Sequence, residues 1–205
     1  MRILGLTGPT GAGKGAVASI LAQHGIPVID ADAVYHALLR ESLPMTDELA
    51  RAFGDDILNA ESKVDRKRLG QAVFGKENTP DLLKALNTIT HKYVVGAIRE
   101  QLAAWEQNDT VAAVIDAPQL FEAGLESVCE AVIGVLATPD VRLTRIMERD
   151  RITKDAAINR INAQKPDDFF LSNCHYILEN NGDLHALSVR VEALLTTLQL
   201  KESLS

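Results

Sequence analysis

Cysteine is nearly missing from this sequence: its 205 residues include only Cys129 and Cys174. That density excludes a disulfide scaffold, and the wide gap between the two thiols excludes a compact zinc-ligand motif. A reduced intracellular setting is the simplest expectation. Aromatic side chains are also few, at 4%, and Trp105 and the five phenylalanines are read as core residues. No uninterrupted apolar run reaches the roughly 18 residues of a membrane-spanning helix. The opening stretch, Met1–Gly15, has no long apolar segment or small-residue cleavage site, so no secretory leader is expected. Net positive charge is lacking too: 21 basic residues face 28 acidic ones, a balance of −7. A broad basic surface for nucleic acid is therefore excluded, whereas a local basic pocket for a small phosphorylated ligand is not. The Asn108-Asp109-Thr110 sequon is read as chance in a chain expected to be soluble and cytoplasmic.

Apolar and charged residues, by contrast, are present in the proportions of an ordinary globular protein, 46% and 24%. The length fits one domain over residues 1–205, a core carrying a modest insertion. Short apolar runs at Arg2–Thr7, Pro27–Asp30, Val111–Ile115 and Ala131–Leu136 have strand length, and His175–Glu179 is a weaker fifth. Helical patterns fill Lys14–His24, stopped by Gly25, and Asp183–Gln199, where Leu184, Leu187, Val191, Leu194, Leu195 and Leu198 recur at helical spacing. Between the second and third strands, Asp47–Phe53, Arg66–Phe74 and Pro80–Gln107 read as helices, the last begun by the Asn78-Thr79-Pro80 signal. Strands alternating with helices predict an α/β fold, a parallel sheet flanked by helices. The helical stretch over residues 33–110 is expected to form its own lobe.

The most informative segment follows the first strand. Gly8-Pro9-Thr10-Gly11-Ala12-Gly13-Lys14 is a GxxxxGK loop between a predicted strand and a predicted helix, the setting a phosphate-binding loop requires. Its glycines let backbone N–H groups turn inward at phosphate oxygens, and the positive helix end adds to the attraction. Gly8, Thr10, Gly11, Ala12, Gly13, Lys14, Gly15 and Ala16 are the candidate nucleotide-binding residues, with Lys14 reaching the β- and γ-phosphates. One position departs from the motif. Gly15 stands where a hydroxyl would ligate Mg²⁺, and Ala16 follows it.

In open α/β sheets the ligand crevice lies beyond the carboxyl ends of the strands, so acids placed there are candidates for chemistry. Asp30 and Asp32 follow the second strand; either can accept a proton from an attacking hydroxyl or simply cap the next helix. Asp116 ends the third apolar run in the manner of a Walker B carboxylate and is a candidate Mg²⁺ ligand, with a turn or cap role as the alternative. Arg142, Arg145 and Arg149 fall at i, i+3 and i+7 on one helix face. Guanidiniums in that array suit phosphate, although the same spacing fits a solvated face with Glu148 and Asp150 as ion-pair partners. His36, His91 and His175 are too scattered to argue a metal site from spacing.

In combination, GLTGPTGAGKG, the VIDAD segment Val28–Asp32, Asp65–Leu69, Leu86–His91, Asp116–Glu122, Arg145–Asp150, Arg160–Gln164 and Asn180–Gly182 resemble the dephospho-CoA kinases. The matches run in order from about residue 2 to residue 198. The resemblance implies a P-loop kinase core, a helical CoA-binding insertion (33–110) and a lid over residues 147–170. It implies ATP as co-substrate with Mg²⁺, dephospho-CoA as acceptor, and phosphorylation of the acceptor's ribose 3′-hydroxyl, the last step of coenzyme A synthesis. By motif match Asp32 is the candidate base and, beside Asp116, a second candidate metal ligand. Lys14, Arg145 and Arg149 are the other candidate catalytic residues, and Arg66, His91, Pro118 and Leu120 join Asp32 in holding the acceptor. Departures from the family pattern are Gly15-Ala16 in place of Ser-Thr, and His36, Lys92, Gln119 and His175. The expected activity is thus a dephospho-CoA kinase. Gly15 raises an alternative, a kinase-derived protein that binds nucleotide or CoA with little or no catalysis, and a kinase for another small acceptor is a third reading. Neither nucleic acid nor a membrane is an expected partner, and nothing in the sequence speaks to oligomeric state.

Overall fold

In the computed structural model, which describes residues 1–75 and 80–200, Asn78 and Thr79 of the expected helix-start signal lie outside the described residues. The apolar runs become the strands β1 (Arg2–Thr7), β2 (Val28–Asp30), β3 (Ala112–Asp116), β4 (Ala131–Leu136) and β5 (Tyr176–Glu179). They form one sheet in the order β2-β3-β1-β4-β5, and β1 pairs in parallel with both β3 and β4, as β4 does with β5. Continuous rather than alternating apolar runs are what a parallel sheet covered on both faces demands. Leu4, Leu6, Val114, Ile115, Ile133 and Val135 are accordingly fully buried. The strand ends shift slightly from expectation: Pro27 stays outside β2, lacking the N–H of a ladder residue, while Asp116 belongs to β3.

The chain divides into two compact units, Met1–Ile29 with Trp105–Ser205, and Asp30–Ala104. In the first, α1 (Lys14–Gln23) and α9 (Leu184–Thr197) lay Val17, Ile20 and Leu21, and Leu187, Val191 and Leu194, into one cluster with the central strands. Each such side chain contributes about 1.5–3 kcal/mol on burial. Three helices that the apolar pattern does not announce follow β4: α6 (Pro139–Asp150), α7 (Lys154–Asn162) and α8 (Asp167–Asn173). Local signals start them instead. Pro139 sits in the first turn of α6, and Thr153 caps α7 by accepting from Ala156 N at 3.4 Å.

The second unit is helical: α2 (Ala31–Glu41), α3 (Leu43–Phe53), α4 (Arg66–Phe74) and most of α5 (Pro80–Gln107). It has its own core, including Leu39, Met45, Leu49, Ile57, Leu69, Val73 and Ile89. Helix α3 begins at Leu43 rather than Asp47, because Ser42 accepts from Met45 N at 3.3 Å and Pro44 occupies the first turn.

Candidate functional site

The carboxyl ends of β1 and β3 lie within a residue of each other, since Leu6 pairs with Asp116, while β4 runs two residues past Gly134, the partner of Thr7. From this edge residues 8–13 run into α1. Gly13 caps α1 in the left-handed region, φ 97°, and a Cβ there would collide with Asn180 Nδ2, so glycine is required twice over. Ala16 and Val17 return their N–H groups to Gly13 O at 3.1 and 3.4 Å, and Ala12 donates to Pro9 O at 3.2 Å. These amides are therefore used within the loop and its junction with α1. The Lys14 and Gly15 amides have no acceptor within the helix and are the ones its N-terminus offers to an anion.

Lys14 Nζ lies 4.0 Å from Asp116 Oδ1, and both side chains are only 16% exposed. Partial burial strengthens the field this pair presents to an incoming phosphate. Asp116 is thus an acid at a strand end beside the loop lysine, a donor suited to Mg²⁺ carried by a nucleotide. A Cβ at Gly15 would meet open space, so position 15 contributes backbone alone. Among the described residues no group of three or more His, Cys, Asp or Glu could hold a metal.

The three arginines separate in role. Arg142 is buried at 4% exposure, which overturns the solvated alternative for this residue. Its Nε donates to Thr10 O at 3.0 Å and its Nη1 to Asp167 Oδ1 at 3.2 Å. Burial lowers its pKa and the Asp167 charge opposes that shift. Arg145 Nη1 donates to Asn180 O at 2.9 Å and to Ala12 O at 3.4 Å, which seats the guanidinium against the loop. Arg149 does pair with Asp150, at 2.8 Å, and its Nη2 also reaches Thr10 Oγ1 at 3.3 Å. The hydrogen bond between Arg149 and Asp150 raises the Arg149 pKa and lowers that of Asp150.

Two residues with no role assigned from sequence complete this edge. Asn180, buried in the turn after β5, donates from Nδ2 to Ala12 O at 2.8 Å. Gln164 Oε1 accepts from Thr10 N at 2.6 Å. Only their membership in the Asn180–Gly182 and Arg160–Gln164 segments marked them in the sequence. Pro118 is exposed, and its carbonyl accepts from Thr7 Oγ1 at 3.5 Å. Leu120 needs correction as an acceptor-holding residue: it is fully buried against Gly5 of β1 and offers no surface to a ligand.

The remaining candidates belong to the second unit. Asp30 is a helix cap, accepting from Ala33 N at 3.0 Å. Asp32 stands exposed in the first turn of α2, where the positive helix end favours a carboxylate. Arg66 opens α4 behind its cap Asp65, and its charge opposes the rise in the Tyr35 pKa that burial causes. His91 is half-buried on α5. Its neighbour Lys92 has a structural use: it pairs with Glu48 of α3 at 2.7 Å, and Tyr93 Oη donates to the same carboxylate at 2.8 Å.

Comparison with known proteins identifies the family. The family model for dephospho-CoA kinase matches residues 2–186. A dephospho-CoA kinase of Anaeromyxobacter dehalogenans is 37% identical over 199 residues, 97% of this chain and 93% of that protein. A crystal structure from Thermus thermophilus superposes with a TM-score of 0.79 at 32% identity, covering 96% of this chain and 97% of the other. The dephospho-CoA kinase of Campylobacter jejuni superposes with a TM-score of 0.71 at 25% identity, covering 97% and 98%. Similarity of this extent, joined to a lysine-bearing phosphate loop facing an acid at the next strand, means that the chain belongs to the dephospho-CoA kinase family.

Proposed function

We propose that this member of the family transfers the γ-phosphoryl group of ATP to the ribose 3′-hydroxyl of dephospho-CoA, giving coenzyme A and ADP. The observation that carries the reading is Lys14, held 4.0 Å from Asp116 at the start of α1. Lys14 and the amides at the helix start hold the β- and γ-phosphates, so the reaction is driven by positioning and charge neutralisation. Asp32 orients the attacking hydroxyl and takes its proton. Arg145 and Arg149 meet the charge that spreads over the moving phosphoryl group. Asp116, with Asp32 as the second candidate, would hold Mg²⁺, which would supply charge neutralisation to the nucleotide phosphates. Arg66, His91 and Pro118 hold the acceptor, while Leu120 supports β1 from within the core. The segment 147–170 serves as a lid that keeps water from competing as acceptor.

Product analysis with ATP, Mg²⁺ and dephospho-CoA tests this directly, with coenzyme A and ADP expected in equal amounts. Saturable nucleotide binding with no coenzyme A at any enzyme concentration would favour the non-catalytic alternative that Gly15 supports. A panel of other small alcohols and nucleotides tests the acceptor class, and dephospho-CoA alone is expected to stimulate transfer above background ATP hydrolysis.

A further inference from the structure

One residue of the phosphate loop, Thr10, is held by three side chains from later in the chain. Arg142 Nε donates to its carbonyl at 3.0 Å, Gln164 Oε1 accepts its N–H at 2.6 Å, and Arg149 Nη2 donates to its hydroxyl at 3.3 Å. Arg142 also donates from Nη1 to Asp167 Oδ1 at 3.2 Å. Asp167 opens α8 shortly after Gln164, behind the N-cap Pro166. The contacts therefore close a ring that runs from the Thr10 carbonyl through Arg142 and Asp167, back along the chain to Gln164, and on to the Thr10 amide. Loop and helix also touch directly, since a Cβ on Gly11 would lie 2.8 Å from Arg142 O and 3.0 Å from its Cα. Helix α8 is fixed on its other side, where Phe169 meets Phe121 edge-on with ring centroids 5.3 Å apart and Phe170 is buried.

Burying a guanidinium here is costly, because Arg142 Nη2 has no hydrogen-bond partner among the described residues. A plain hydrocarbon side chain would avoid that cost, but could not bond a carbonyl and a carboxylate at once. We propose that Arg142 is a positioning residue for the nucleotide phosphates, acting through Thr10. With Gln164 it couples the phosphate loop to the start of α8, at the C-terminal end of the proposed lid, so that this end moves with the loop rather than independently of it. This rests on the nucleotide-binding reading of the loop, and it is independent of which alcohol accepts the phosphoryl group.

Amide hydrogen exchange over residues 160–173, in protein without nucleotide, reads the ring. Calorimetric titration with ADP reads the positioning. Gln164 is exposed, so Gln164→Ala leaves the core intact. It is expected to speed exchange in this segment and weaken ADP binding by roughly tenfold each, the scale of one good hydrogen bond. Arg142→Met is expected to do the same. Arg142→Lys should fall between it and wild type, because an ammonium keeps the charge but lacks the planar fork that reaches two separated acceptors. The double variant Arg142→Met/Gln164→Ala should be no worse than the weaker-binding single variant, since both break one ring. Exchange in Gln164→Ala within about twofold of wild type, or effects that add in the double variant, would overturn the ring. Faster exchange with unchanged ADP affinity would overturn the positioning role, because that is the signature of a purely structural contact. If these ADP effects persist while the wild-type protein makes no coenzyme A, the acceptor reading alone fails and the positioning role stands.

Discussion

Gly15 is a departure from the phosphate-loop pattern that the structure leaves free to be reversed. Its Cβ position faces open space and its φ is outside the left-handed region, so a serine there meets no clash and no backbone strain. Gly15→Ser is expected to fold as the wild type does and to lower the Mg²⁺ concentration at half-maximal rate by roughly tenfold, if a hydroxyl contributes about as much as one hydrogen bond. An unchanged Mg²⁺ dependence would mean that a carboxylate and water already complete the shell. The two thiols give a second expectation. Burial pushes the Cys129 pKa up to about 12 and that of Cys174 up to about 11, so neither forms appreciable thiolate near pH 7. Both should resist iodoacetamide in the native protein and react fully after denaturation, as mass spectrometry would show. What was legible at this scale was whatever the local pattern dictates. Lys14 and Asp116 could be read because a strand and a turn put them where they are. The burial of Arg142 could not, because it depends on Thr10 and Asp167, which are 132 and 25 residues away along the chain.

Elements were legible where burial imposes a periodicity. Helices α1, α4, α5 and α9 and the strands were read close to their true ends, since each presents an apolar run or stripe to a core. Helices α7 and α8 were not, because Ala157 and Phe170 are their only fully buried residues and leave no stripe to detect. A short polar helix such as α7 leans on its cap, Thr153, and α4 lets the value of a cap be measured. Asp65 accepts from Lys67 N at 2.8 Å and from Arg68 N at 3.1 Å, satisfying two amides at the start of α4. Asp65→Ala is expected to cost about 1 kcal/mol in urea unfolding, and Asp65→Asn much less, because asparagine caps nearly as well. Equal losses for the two variants would assign the contribution to charge near Arg66, Lys67 and Arg68 instead of to the cap.

At the scale of the whole molecule, alternating strands and helices were enough to read a parallel sheet flanked by helices, but not the strand order. Periodicity records which faces are buried and carries no information about which strand lies beside which; the order β2-β3-β1-β4-β5 comes from the ladders alone. Nor does periodicity reveal which apolar residues belong to which core, although the strand-free stretch over residues 33–110 was expected to form its own lobe. The cluster around Leu4, Leu6, Ile133 and Val191 shares no residue with the one around Leu39, Met45, Leu49 and Ile57. Leu49 is fully buried in the second, so Leu49→Ala should cost about 2–5 kcal/mol there through lost transfer energy and the cavity left behind. If each core stabilises its own unit, amide exchange will quicken throughout residues 30–104 while β1, β3 and β4 keep their protection. Uniform acceleration, with β4 amides exchanging as fast as those of α3, would mean that the two cores open as one cooperative unit. The distinction bears on the proposed reaction, because the proposed acceptor residues Asp32, Arg66 and His91 belong to one unit and the proposed phosphate residues Lys14 and Asp116 to the other. Independent opening would weaken acceptor binding in Leu49→Ala without weakening ADP binding, whereas cooperative opening would weaken both together.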